Sequence, residues 1–122
     1  MIEEKTLDEQ DRGSVIKEGF ELTYGDRARQ YGPVTPNMQG IARFWQAHLE
    51  SVCLAKTGVQ MPFELTGEDV AHMMILLKMQ RAANMPFIIH RDNYADMVAY
   101  SGIAAECAYE ERCDEKPLDP TL

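Results

Sequence analysis

Apolar residues recur along this chain at three- and four-residue steps, in blocks separated by glycine- and proline-bearing breaks; that pattern predicts helices. The first block is short. Val15, Ile16, Gly19, Phe20 and Leu22 follow Ser14, a predicted N-cap, and the block stops at Thr23-Tyr24-Gly25-Asp26, where glycine suits a helix end. A second starts at Thr35-Pro36-Asn37, with Thr35 as cap and Pro36 at the first helical position. It carries Ile41, Phe44, Trp45, His48, Leu49 and Val52 and runs out at Lys56-Thr57-Gly58.

The third block opens on Thr66-Gly67-Glu68-Asp69, which has the form of a capping box with aspartate in its last position. From Val70 to Met79 its apolar side chains point nearly all round, which predicts a helix covered on most sides by the other helices and by a second subunit. After Pro86, Phe87-Ile88-Ile89 reads as a short extended linker. The last helix is expected near Arg91, capped by Asp92 or Asn93, with Tyr94, Met97, Val98, Ser101, Ala104 and Ala105 on one face. Its many small residues would let a neighbour approach closely. The expectation is an all-α, four-helix single domain over residues 14–112, with a flexible polar tail before it and a frayed one over 113–122.

An apolar fraction of 45% fits a folded chain of 122 residues. The net charge of −8 argues against a nucleic-acid polymer or an anionic membrane as partner, since both repel a net anion. Cys53, Cys107 and Cys113 lack the spacing of a metal clip and suit reduced thiols, with Cys53 and Cys107 read as small buried residues. There is no run of about 18 apolar residues, and the acidic start Met1-Ile2-Glu3-Glu4-Lys5 is unlike a secretory lead, so a cytoplasmic location is expected.

Two groups of residues are candidates for chemistry. Glu68, Asp69 and His72 lie in one helical turn, and Asp92 and Asp96 in another. Residues three or four apart share a face, so these turns, packed side by side, would gather oxygen ligands for a hard cation such as Mg²⁺. Capping and the helix dipole favour the same acidic residues at helix starts and are the competing cause. Lys78 and Arg81, further along the third helix, would face a phosphate or else offset the dipole at its end. The second group is the turn Gly25–Pro33, where Arg27, Arg29 and Tyr31 stand between glycines with Asn37 just beyond. Arginine forks suit phosphate and a tyrosine ring suits a base.

Tyr24-Gly25-Asp26-Arg27, Tyr31-Gly32-Pro33, Ile41-Ala42-Arg43-Phe44-Trp45, Leu65–Met74 and His90–Asp96, in that order over about residues 20–108, resemble an uncharacterised family common in bacteriophages and prophages. That family in turn distantly resembles the MazG-like, all-α nucleoside triphosphate pyrophosphohydrolases. The resemblance implies a helical bundle completed as a homodimer or homotetramer, with Mg²⁺ on paired acidic motifs and a nucleotide ligand. The motifs fall on Asp69–His72 and Asn93–Asp96, with His72 and Asn93 where the enzymes have glutamate. The implied roles are catalysis for Asp69, His72 and Asp96, and metal binding for Glu68, Asp69, Asp92 and Asp96. Arg27, Arg29, Tyr31, Asn37, Lys78 and Arg81 would hold the substrate, in the host cytoplasm for a phage-encoded chain. The incomplete motifs keep two alternatives open: a non-catalytic nucleotide-binding protein, and a structural helical oligomer seamed through Ile75 and Leu76.

Overall fold

The computed structural model describes residues 11–25 and 32–113, which form four α-helices and no strand. They are α1 (Arg12–Tyr24), α2 (Val34–Thr57), α3 (Gly67–Asn84) and α4 (Arg91–Arg112). The expected flexible tail lies outside the described residues up to residue 10, and the frayed one from residue 114 onward.

Three of the four predicted starts move. Asp11, three residues before Ser14, caps α1 by accepting the Ser14 N–H at 2.7 Å; a carboxylate there also meets the positive end of the dipole. Pro33 stands at the N-cap of α2, so Thr35 falls inside the helix, where it is buried, and Pro36 lies in the first turn, whose N–H groups lack helical partners anyway. Helix α4 starts after His90, which makes no side-chain cap, and Asp92 and Asn93 lie within its first turn. The start of α3 is as read: Thr66 Oγ1 accepts from Asp69 N at 3.1 Å and Asp69 Oδ2 accepts from Thr66 N at 2.9 Å. Gly58 ends α2 at φ 71°, a left-handed cap that favours glycine. Phe87-Ile88-Ile89 is a turn region, not an extended linker, with Ile88 N donating to Met85 O at 3.2 Å.

The core is small and sits where α2, α3 and α4 meet. Met38, Ala42, Val70, Ala71, Ala104 and Cys107 fill it, flanked by Ile41, Trp45, Leu65, Tyr100 and Ile103. Full burial of a side chain such as Val70 is worth about 1.5–3 kcal/mol. Helix α4 turns a different face inward from the one expected. Asn93, Ala95, Ala99, Ala104 and Cys107 are buried, while Tyr94, Ser101 and Ala105 are exposed. The close approach of α1 to this helix is made by Gly19 of α1: a Cβ there would lie 2.6 Å from Val98 Cγ1 and 2.9 Å from the Ala95 carbonyl oxygen. Arg91 pins the same helix pair, reaching Glu18 and donating to Ser14 Oγ at 2.6 Å.

Helix α3 is far less covered within the chain than its composition predicts. Only Gly67, Val70 and Ala71 are buried, while Met73, Leu76, Leu77 and Met79 are 40%, 60%, 47% and 51% exposed. Among the described helices only α2 and α4 pack against α3, and α4 contributes mostly alanine, so much of its apolar surface is left open. Cys107 is buried as expected and Cys113 is exposed, but Cys53 is only half-buried.

Candidate functional site

A cleft of about 340 Å³ lies between the end of α1, the start of α2 and the middles of α3 and α4. Its size falls at the small end of ligand pockets. Leu22, Val34, Met38, Ile41, Ala99 and Ile103 supply apolar walls; Thr23, Asn37 and Tyr100 add polar groups. Lys78 reaches from α3 to Asp96 on α4, Nζ to Oδ2 2.8 Å, with the two side chains 13% and 24% exposed. Among the described residues of the lining these two are the charged ones, and their attraction offsets part of the cost of burying each.

The residues singled out from sequence divide among three places. Asn37, Lys78 and Asp96 meet in the cleft. Glu68 and Asp69 are at the opening turn of α3, where Asp69 completes the capping box and Glu68 Oε1 accepts from Arg112 Nη2 at 2.6 Å. Arg81 and Asp92 share a separate hollow of about 250 Å³ with Asn84, His90 and Asn93. His72 is exposed on α3. Arg27, Arg29 and Tyr31 lie outside the described residues.

The acidic start of α3 is therefore occupied by capping. Glu111, from the end of α4, adds to it by accepting Gly67 N at 2.8 Å, Glu68 N at 3.0 Å and Gln39 Nε2 at 3.2 Å. With Asp69 N on Thr66 Oγ1 and Val70 N on Thr66 O, the first N–H groups of α3 are all satisfied. A Cβ on Gly67 would sit 3.2 Å from both Glu111 Oε2 and Met38 Cβ, so the glycine lets the three helices close here.

The expected Mg²⁺ set does not fit this arrangement. Among the described residues no three His, Cys, Asp or Glu side chains come close enough to hold a metal ion. Asp96, the strongest candidate ligand, has an ammonium as its neighbour. A divalent ion about 5 Å from that ammonium would be repelled by roughly 7 kcal/mol at an effective dielectric near 20. Elsewhere, burial pushes the Cys107 thiol up, offset in part by the adjacent Thr35 hydroxyl and reinforced by the nearby Glu111, Glu106 and Glu110 carboxylates. Thr35 Oγ1 itself has no hydrogen-bond partner of normal geometry. Sequence reasoning missed Tyr100 and Glu111. The first could have been found, since it lies four residues after Asp96 on the same helical face; the second acts across 44 residues and leaves no local signal.

No described helix is long and apolar enough to cross a membrane. The family described as "Domain of unknown function (DUF6378)" matches residues 14–108. The Gene 55 protein of Mycobacterium phage D29 is 32% identical over 104 residues, 85% of this chain and 59% of that protein. The Gene 55 protein of Mycobacterium phage L5 is 37% identical over 90 residues, 74% of this chain and 49% of that protein. The chain thus spans about half to three-fifths of these relatives. No solved structure matches it.

Proposed function

We propose that this chain, which belongs to the DUF6378 family, is a nucleotide-binding protein whose ligand enters the α1–α4 cleft and is not hydrolysed there. The observation that carries the reading is one lining that holds Asn37, Tyr100 and the Lys78–Asp96 pair among apolar neighbours. Such a lining combines hydrogen-bond donors, acceptors and an aromatic side chain, the groups that recognise a base. The Mg²⁺-dependent pyrophosphohydrolase on a MazG-like bundle is the competing enzyme reading and would need the dispersed carboxylates to regroup. Calorimetry on the intact protein with a panel of nucleosides and nucleotides, alongside a pyrophosphate-release assay with Mg²⁺ or Mn²⁺, separates the two. Binding without product is expected. Turnover that disappears in Asp96→Ala would replace this reading with the enzymatic one.

A second reading, compatible with the first, is a homodimer or homotetramer seamed along α3. Met73, Leu76 and Leu77 form a stripe at helical spacing and are 40–60% exposed; contiguous apolar surface of that kind marks interfaces. Leu76→Glu is expected to lower the mass measured by sedimentation while leaving helix content unchanged. A chain that is monomeric before the substitution would refute the seam.

A further inference from the structure

We infer that the cleft holds the nucleoside end of its ligand, not the phosphates, and that the Lys78–Asp96 pair reads the hydrogen-bonding edge of the base without a metal ion; this rests on the nucleotide reading above. The argument is one of charge and shape. Lys78 and Asp96 are the charged side chains among the described residues of the lining, so that described lining is net neutral, in a chain of net charge −8. A triphosphate in a volume of about 340 Å³ would bring several negative charges to a described lining whose one ammonium a carboxylate already neutralises. A nucleoside brings none. Nucleobases present donors beside acceptors on one edge and apolar faces on either side. Lys78 can only donate and ionised Asp96 can only accept. At 2.8 Å apart they form a donor–acceptor step set among Met38, Ile41 and Ile103, with Tyr100 on the same lining.

Calorimetry with a deoxynucleoside, its monophosphate and its triphosphate, each in EDTA and in Mg²⁺, tests this on the unmodified protein. The three affinities are expected to agree within about fivefold, and EDTA to change none of them by more than that. A larger rise with phosphate number, or a larger loss in EDTA, overturns the inference and leaves the nucleotide reading standing. Absence of binding by every compound overturns both. Asp96→Asn and Lys78→Met, checked for helix content, are each expected to weaken nucleoside and triphosphate by the same factor, about tenfold; a loss confined to the triphosphate overturns the inference. Asn37→Ala, at a half-buried lining position on α2, supplies a second variant for the same comparison if either of the others fails to fold.

Discussion

Replacing Glu111 by alanine removes three accepted hydrogen bonds at once: two from the opening N–H groups of α3, at 2.8 and 3.0 Å, and one from Gln39 at 3.2 Å. Loss of an N-terminal cap costs about 0.5–2 kcal/mol, and loss of a negative charge at that end of the dipole about 0.3–1 kcal/mol more. Glu111 is only half-buried, so water would take over part of what it satisfies. A net loss of about 2 kcal/mol follows. At roughly 4–8 °C per kcal/mol for a domain of this size, the melting temperature should fall by about 10 °C. Circular dichroism melts and urea titrations would measure it. Glu111→Gln keeps one acceptor and the side-chain length but loses the charge, and should cost about half as much. Glu110→Ala, one residue earlier and exposed, should stay within about 0.5 kcal/mol of the parent. If Glu111→Ala is no worse than Glu110→Ala, the carboxylate is not the cap described.

Gly19→Ala should destabilise by about 1–3 kcal/mol despite alanine's better helix propensity, because its methyl meets Val98 and the Ala95 carbonyl. The double variant with Val98→Ala should recover part of the loss in a denaturant cycle. The raised Cys107 thiol has a defined sign: the folded state holds its proton above the unfolded value. Its contribution is therefore complete below the unfolded thiol range and is lost as pH rises through the folded one. Urea stability should fall on the alkaline side, and Cys107→Ala should flatten that slope. In thiol labelling followed by mass spectrometry, Cys113 should react first and Cys107 only on unfolding.

The helices and the α3 capping box were legible because spacing and caps are local. Pro33 and His90 as helix starts were not, since neither residue offers a side-chain cap and packing chose the boundary. The burial of α3 was overestimated because periodicity reports which residues are apolar, not how much partner surface a short chain can supply. In the acidic cluster, dipole and metal predicted the same residues, and only the placement of Arg112, Glu111 and Lys78 separates them. Lys78, Asp96 and Asn37 were each named from sequence; their meeting in one cleft depends on how three helices pack.

The Glu111 clamp also sets an order in time. Gly67 leaves the ribosome 44 residues before the carboxylate that finishes its helix end. At ~5–20 residues per second of synthesis, that is an interval of roughly 2–9 s. Glu18 and Ser14 wait longer, for an arginine 73 and 77 residues further on. Helix α1 packs on α4 and on no other described helix. The nascent chain must therefore carry α1 undocked, and α3 capped only by its own Thr66–Asp69 box, until α4 emerges, and the cleft between them is completed only then.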